Sequence, residues 1–225
     1  MHKILEKYHT ITKFYPALIP LVIKENFVKK LQGISLKNVE ISTKIKKNKI
    51  SKTGDMIFTH FGISGPCVLK FSSYINKFLE ENEVILNIDV LPNMDGEEVS
   101  NIIRQDINKN ILTNLKSILP QNFLKVILDG LNLNKKVKEL SKSDEEKLIK
   151  SLKNLELTVI DTKGIKASQV TCGGVNVKEI NSSTLESKII KNLYFCGEVI
   201  DVDAETGGYN LQIAFSTGFL AGNNV

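Results

Sequence analysis

The segment at residues 193–222, LYFCGEVIDVDAETGGYNLQIAFSTGFLAG, constrains the fold of this chain more than any other stretch. An apolar run ends at a Gly-acid pair, further acids follow, and a Gly-Gly pair opens a helix-like apolar stretch. The run NLYFCG is short and apolar, which is typical of a central strand in a parallel sheet. Because ligands in open α/β sheets bind beyond the carboxyl ends of the strands, the residues after this run are predicted to face a ligand.

Two features of the segment indicate a ligand that carries sugar or phosphate groups. Glu198 and Asp201 follow the predicted strand, and carboxylates there can accept hydrogen bonds from sugar hydroxyls. For Asp203 and Glu205, a solvent-exposed acidic loop is the favoured interpretation. Gly207-Gly208 leave the unpaired N–H groups of a helix start accessible, which favours a phosphate or another electron-rich group. A flexible turn into a helix is the alternative.

The basic residues limit the classes of partner. The formal net charge is +5, yet Arg104 is the only arginine, and specific recognition of phosphates and bases usually depends on arginine. A group of lysines could contact nucleic acid without specificity, but a solvated surface is the favoured interpretation. These lysines are Lys44, Lys46, Lys47 and Lys49. We therefore predict no nucleic-acid partner.

Membrane and metal functions are not indicated either. No window of about 18 consecutive apolar residues is present, and the first residues lack the pattern of a signal peptide, so a cytoplasmic protein without a membrane partner is predicted. The three cysteines, Cys67, Cys172 and Cys196, have no metal-ligand spacing. We predict no metal site and no disulfide framework.

The rest of the chain changes from β structure to helices and back. Short alternating patterns at 33–60 predict strands with a turn at Lys47-Asn48. After a strand at 83–92, helices are predicted over 96–119, from Pro120, and from a capping box that pairs Ser143 with Glu146. Beyond about residue 155, short strands and then the glycine-led helix are predicted.

Three further features of the sequence are candidates for chemistry. His60, in FTHFGISGP, is a candidate for substrate binding or proton transfer, although a hydrogen-bonded structural histidine is the commoner case. Ser64 does not match the pattern G-x-S-x-G, which excludes a serine hydrolase of that type. Gly173-Gly174 permit close approach of a ligand, and a bulge or tight turn explains them equally well.

The segment from TCGGVNV to STGFLAG is similar to the C-terminal signature of the HI0933-like flavoproteins, also called BaiN/YhiN-type NAD(P)/FAD-dependent oxidoreductases. FYPALIPL and GDMIFTHFGISGPCVLKFS resemble two further motifs of that family, in the same order. The resemblance implies an α/β fold (α+β overall), namely the C-terminal part of a glutathione-reductase-like FAD-binding domain plus an inserted β-barrel and helical domain. On this mapping, residues 1–14 are a remnant of the FAD domain, 15–155 are the insert on the substrate side, and 156–225 are the C-terminal segment of the FAD domain.

The resemblance also implies an activity and a site. It implies hydride transfer through FAD, with NAD(P)H as electron donor and a small-molecule substrate, and no motif selects NADH over NADPH. His60 and Tyr209 are the candidate catalytic contacts. The implied cofactor-binding residues are Gly173, Gly174, Val175, Gly197, Glu198, Asp201, Gly207, Gly208, Tyr209, Asn210 and Leu211.

One part of the family pattern is missing from this sequence. None of the fourteen glycines forms the motif G-x-G-x-x-G, which in the family begins the chain and holds the ADP part of FAD. The chain therefore resembles only the C-terminal half of a family member, as a split or truncated gene product or a partial gene model, which leaves its status as an enzyme open. A split gene implies an N-terminal half of the FAD domain, encoded separately, as the partner. The alternative is an inactive remnant or one subunit of a two-chain flavoprotein. Alone, it is expected to bind FAD weakly or not at all.

Overall fold

The structure, a computed structural model, describes residues 5–225, so residues 1–4 of the predicted 1–14 segment lie outside the described residues. The chain divides into two units. The barrel unit is the continuous segment Pro20–Thr162. The terminal unit combines the residues up to Ile19 with Lys163–Val225.

The strands and α-helices follow the order that the sequence pattern predicts, apart from one divided helix and one absent strand that are described below. The strands are β1 (Tyr15–Ala17), β2 (Leu21–Ile23), β3 (Ser35–Ile45), β4 (Asn48–Phe58), β5 (Gly62–Ser64), β6 (Val84–Asp89), β7 (Leu155–Thr162) and β8 (Val170–Cys172). The helices are α1 (Pro66–Ile75), α2 (Gly96–Arg104), α3 (Ile111–Leu115), α4 (Gln121–Leu131), α5 (Lys142–Lys153) and α6 (Tyr209–Gly222).

Six strands of the barrel unit form a closed barrel in the order β2-β5-β4-β3-β6-β7, with every neighbouring pair antiparallel. The long hairpin of β3 and β4 shows why this sequence makes strands. Val39, Ile41 and Thr43 alternate with more exposed residues and are buried, which gives the hairpin one apolar face. The turn lies at Lys46 and Lys47, one residue before the predicted position, and Lys46 has a φ of 55°.

The helices α1 to α5 pack their apolar sides into the same core as the barrel. Phe71 of α1, Leu124 of α4 and Leu148 of α5 are fully buried in that core. Phe58 of β4 and Phe123 of α4 stack with ring centroids 6.2 Å apart. The apolar stripes of these helices are therefore core, as the sequence predicts.

Two details of the predicted helices were wrong. The predicted helix at 96–119 is divided into α2 and α3, because Asp106 accepts the backbone N–H of Asn108 at 3.0 Å in a local turn that competes with the helix. The cap of α5 is Ser141, whose hydroxyl accepts the N–H of Asp144 at 3.1 Å. The reciprocal capping box lies instead at the start of α2, between Asp95 and Glu98.

The buried carboxylate of Glu145 links α5 to α2. It accepts hydrogen bonds from the Ser100 hydroxyl at 2.5 Å and from the Arg104 guanidinium. Burial opposes its ionisation, but the hydrogen bonds from Arg104 and Ser100 outweigh burial and hold the pKa of Glu145 below its usual value. Because a lowered folded-state pKa stabilises the fold above the unfolded pKa, this contribution is lost as the pH falls through the folded value.

We expect Glu145→Gln to reduce the free energy of unfolding at pH 7 by about 1–2 kcal/mol. The difference between wild type and variant should shrink below about pH 4, where the wild-type carboxylate also becomes protonated. Urea unfolding at several pH values measures both effects. Glu146→Gln, at an exposed neighbouring position, is the control. A difference that stays constant from pH 7 to pH 3 would contradict the role of the ionised carboxylate.

The terminal unit is held together by short pairings. β1 pairs antiparallel with β8, with Tyr15 opposite Cys172. His9, which is buried, places Nδ1 3.2 Å from the Glu179 carboxylate and Nε2 3.3 Å from the Ser187 hydroxyl. These contacts join residues near the start of the chain to residues that are 170 or more positions away.

The predicted parallel strand NLYFCG was wrong for the described residues. Tyr194 makes only an isolated antiparallel bridge with Glu186, and Gly197–Val199 form a short 3-10 helix. A strand in a parallel sheet needs a neighbour of several residues, and the terminal unit's parallel pairing is the single bridge between Val175 and Ile200. The glycine-led helix at 209–222 is present, as predicted.

Candidate functional site

A pocket of about 390 Å³ lies in the terminal unit, at the first turn of α6. The structure brings together at this pocket the Gly-acid pair and the Gly-Gly pair that the sequence singles out, which are nine residues apart or more. Of the predicted site residues, those that line it are Gly197, Glu198, Gly207, Gly208, Asn210 and Leu211. Leu18, Gln169, Val170, Val202, Thr206, Ile213 and Ala214 also line it, with Glu205.

The two glycines at the start of α6 have backbone conformations that favour glycine. Gly207 has a φ of 131° and Gly208 a φ of 86°. The helix's first backbone hydrogen bond runs from the Gln212 N–H to the Gly208 carbonyl at 2.9 Å. The N–H groups of the three residues before Gln212 therefore have no acceptor within the helix, which gives this end of the pocket partial positive charge.

The loop that leads into α6 is fixed by one side chain. The Asn210 amide oxygen accepts the Ala204 N–H at 2.8 Å, and the amide nitrogen donates to the Ala204 carbonyl at 2.8 Å. Asn210 thus acts on the shape of the loop, and its side-chain donor and acceptor are both engaged. A lone Asn after Gly-Gly-Tyr carries no sequence signal for this pairing.

Gly197 is positioned by a residue that the sequence analysis did not single out. The Gly197 N–H donates to the Thr217 hydroxyl oxygen at 2.8 Å, and that hydroxyl donates to the Ile213 carbonyl at 2.6 Å. Gly197 has a φ of 64°, and a Cβ there would lie 3.7 Å from the Ala214 Cβ. Thr217, a polar residue in the middle of α6, was the available signal.

The acidic residues of the segment have different surroundings. Glu198 is exposed, lines the pocket and accepts the Thr171 N–H at 3.0 Å through one carboxylate oxygen. Asp201 does not line the pocket, and its N–H donates to the Val175 carbonyl at 3.0 Å. Of these two acids, only Glu198 lines the pocket. Glu205 also lines it and is half-buried, so the solvent-exposed loop that the sequence favours is wrong for Glu205.

Gly173, Gly174 and Val175 lie away from this pocket, among backbone segments. A Cβ on Gly173 would lie 2.4 Å from the Lys13 carbonyl oxygen, and one on Gly174 would lie 2.5 Å from the Val199 carbonyl oxygen. Val175 is fully buried. These contacts match the tight-turn alternative for the two glycines, in which the absent side chains make room for backbone.

The two candidate catalytic contacts, Tyr209 and His60, belong to different units, and neither lines the pocket. Tyr209 is 61% exposed at the start of α6 and does not line the pocket. His60 is exposed in the barrel unit, between β4 and β5, and its ring meets Phe61 edge to face at 4.9 Å.

Within residues 5–225, no group of three or more His, Cys, Asp or Glu side chains is arranged to hold a metal ion. None of the helices in that part of the chain is long and apolar enough to cross a membrane.

In this fold the barrel unit, with its helices, is inserted between the two segments of a discontinuous α/β unit, the terminal unit. Comparison with known proteins identifies the family that has this organisation. Residues 15–170 match the HI0933-like protein barrel and H2TH domain, and residues 143–224 match the HI0933-like protein Rossmann domain. The chain belongs to the HI0933-like family. Both the family and the predicted fold class, a Rossmann-type segment plus an inserted barrel, are thereby confirmed.

The chain is similar to three characterised relatives. A 3-dehydro-bile acid delta(4,6)-reductase of Clostridium scindens is 33% identical over 95% of this chain and 54% of its own length. Ribosomal RNA dihydrouridine synthases of Haemophilus influenzae and Escherichia coli are 36% and 31% identical over 90% of this chain, and over 49% and 50% of their own lengths. The chain thus spans about half the length of the curated relatives that it matches.

Proposed function

We propose that this chain forms part of a flavin-dependent reductase that uses FAD. The observation that carries the proposal is the α6 pocket, in which a glycine-led helix start lies beside Gly197 and Glu198 within the segment that matches a Rossmann domain. FAD, when bound, supplies hydride transfer, for which a protein provides binding, orientation and electrostatics. NAD(P)H is the proposed electron donor.

The residues around the pocket fit such a group. The free N–H groups at the start of α6 can donate to an electron-rich ring edge or a phosphate, and no side chain at Gly207 or Gly208 blocks their approach. Glu198 offers one carboxylate oxygen to a ribityl or ribose hydroxyl while the other holds the Thr171 N–H. Gly173, Gly174 and Asp201 do not line the pocket and stay proposed cofactor-binding residues.

The names of the three relatives indicate the kind of reaction. A reductase of an unsaturated bile acid and a synthase of dihydrouridine both add two hydrogens across a carbon–carbon double bond. We propose the same reaction here, in which one carbon receives a hydride and the other a proton. The predicted small-molecule substrate agrees with the name of the first relative and differs from the names of the other two. Tyr209 and His60 remain proposed contacts.

One observation bears on the second candidate, one subunit of a two-chain flavoprotein, because it indicates that α6 lacks a packing partner. Leu211, Phe215 and Phe219 follow at helical spacing along α6 and are 64%, 69% and 74% exposed. A helix face of this kind normally packs against another element. We propose that it packs against the half of the FAD domain that carries G-x-G-x-x-G, whether that half is joined to this chain or separate. The domain limits 15–155 and 156–225 and a cytoplasmic location are kept as parts of this proposal.

The test combines this chain with the unmatched half of the Haemophilus influenzae relative, expressed as a second polypeptide. We expect visible flavin absorbance to co-purify with the mixture and not with this chain alone, because each half holds part of the cofactor. Gly208→Val should reduce the flavin content about tenfold or more, since a β-branched side chain is strained at a positive φ and covers the helix start.

Gly130→Val is the matched control, since nothing lies within 4 Å of a Cβ at Gly130 and it is in α4 of the barrel unit. Stoichiometric flavin bound to this chain alone would contradict the two-part site. Equal flavin content in the Gly208→Val variant and the wild type would contradict the role of the α6 start.

A further inference from the structure

We propose that a groove beside the β3–β4 hairpin of the barrel unit binds single-stranded RNA, with a base on its apolar floor and phosphates on its lysines. The groove has a volume of about 460 Å³. This inference rests on the proposed reductase function and adds to it a substrate-holding surface on the barrel unit. It is an alternative to the prediction, made from sequence, that nucleic acid is not a partner.

The first observation is the charge of the hairpin. Residues 44–52, KIKKNKISK, contain five lysines and no acid. Lys44, Lys46 and Lys47 are exposed, and no carboxylate oxygen within the described part of the chain forms an ion pair with them. Lys49 reaches the Glu40 carboxylate only at 4.0 Å. Most of this positive charge is therefore available to an anionic partner.

The second observation is the apolar floor between the charges. Ile85 of β6 is 58% exposed in the groove, and Phe78 lies in its wall with the Lys46 ammonium 5.8 Å from the ring centroid. Single-stranded RNA is bound by such a pairing, in which bases pack on apolar or aromatic side chains while cations follow the backbone. The amides of Asn82 and Asn87 line the same groove and can bond to base edges.

The third observation is that a hydrogen bond joins the walls of the groove and that its one acidic side chain is paired with a lysine. The Thr43 hydroxyl donates to the Ile85 carbonyl at 2.6 Å and so joins the two strands that form its walls. Glu83 is the only acidic residue that lines it, and Lys24 neutralises that carboxylate through contacts of 2.8 and 2.9 Å. A bound phosphate would therefore meet lysines without an uncompensated carboxylate beside them.

RNA fits these observations better than a membrane surface does. The hairpin tip, Lys46 to Lys49, has the sequence KKNK and no large apolar side chain to enter a lipid interface. Lysine also suits sequence-tolerant contact with phosphates, whereas base-specific recognition relies on arginine. The groove is thus expected to hold the strand and to leave the choice of nucleotide to the reaction site.

The test measures binding of the full chain to a fluorescein-labelled oligouridylate of about 12 nucleotides by fluorescence anisotropy, within the usual range of single-strand site sizes. The triple variant Lys44→Gln, Lys46→Gln and Lys47→Gln should bind about 10–30-fold more weakly. The slope of log affinity against log salt should also fall by about 2 in magnitude, since each phosphate contact contributes about 0.7 on a single strand.

The control triple variant is Lys136→Gln, Lys138→Gln and Lys147→Gln, which removes the same charge from other exposed sites of the barrel unit. It should change the affinity less than about threefold. Thermal unfolding establishes that both variants remain folded. A third variant, Ile85→Ser, should weaken binding without changing the salt slope, because it alters the floor and no charge.

Several results would overturn the proposal: no RNA binding by the wild type, equal loss in both triple variants, or stronger binding to phosphatidylserine vesicles than to RNA. Flavin content in the two-part complex keeps the two proposals distinct. RNA binding without flavin in that complex would refute the reductase function and leave the groove intact. Flavin binding and reduction without RNA binding would refute the groove alone.

Discussion

Replacing Gly174 with alanine is expected to destabilise the terminal unit by about 3 kcal/mol or more. The new Cβ would lie 2.5 Å from the Val199 carbonyl oxygen and 2.8 Å from the Ile200 carbonyl carbon. Both neighbours are backbone atoms, which cannot rotate away as a side chain does. The φ of Gly174 is 151°, which adds strain for any residue with a side chain.

The expected loss is large because Gly174 connects three segments. Its N–H and carbonyl both bond to the Thr12 hydroxyl, at 2.9 and 3.0 Å, and the next residue's N–H bonds to the Val199 carbonyl. Moving the backbone by the distance that a methyl group needs would weaken all of these contacts together. Hydrogen exchange that reports peptides from each unit separately is the suitable measurement.

Peptides from 170–201 should lose most of their protection in the Gly174→Ala variant, while peptides from the barrel unit should keep theirs. Gly218→Ala, within α6, is the matched control because nothing lies within 4 Å of a Cβ there. That control should stabilise the unit by about 0.5–1 kcal/mol, since alanine favours a helix over glycine. Unchanged protection in Gly174→Ala would show that the backbone segments are farther apart than the structure places them.

The second large effect concerns the apolar face of α6. The chain alone should bind a hydrophobic dye and self-associate, because Leu211, Phe215 and Phe219 together form an exposed apolar face. The double variant Phe215→Ser and Phe219→Ser should reduce dye fluorescence several-fold and shift the chain towards a monomer. Light scattering after size exclusion, with dye titration on the same fractions, measures both.

The same double variant should also prevent assembly with the half of the FAD domain that carries G-x-G-x-x-G. The control is Ile107→Ser with Ile189→Ser, two residues that are 54% and 52% exposed, lie in different units and belong to no such face. It should leave dye binding and assembly close to the wild-type values. If the Phe variants assemble and bind flavin as the wild type does, then α6 does not provide the contact surface.

Local patterns were enough to predict much of this fold. Alternation at Val39, Ile41 and Thr43 indicated the β3–β4 hairpin, because burial of one face repeats every second residue. Gly207-Gly208 before an apolar stretch indicated α6, because glycine tolerates the positive φ that precedes the helix. Both signals lie within about a dozen residues and depend little on distant parts of the chain.

Features that depend on distant partners were not predictable in this way. The run NLYFCG has the composition of a buried strand, but pairing depends on which neighbours are present, and among the described residues Tyr194 has only Glu186 as a bridge partner. The Thr217–Gly197 contact joins residues 20 positions apart, and His9 meets Ser187 178 positions away. No local period encodes such contacts.

The division of the chain has a consequence for synthesis on the ribosome. Thr12 cannot meet Gly174 until the 143 residues of Pro20–Thr162 have been translated, which takes about 7–30 s at typical rates of elongation. The barrel unit is continuous and can fold during that time, whereas the residues before it must wait unpaired. The apolar face of α6 leaves the exit tunnel after the whole barrel unit. The barrel can therefore form before the terminal unit does, and chaperones are expected to engage the segments of the terminal unit in the meantime.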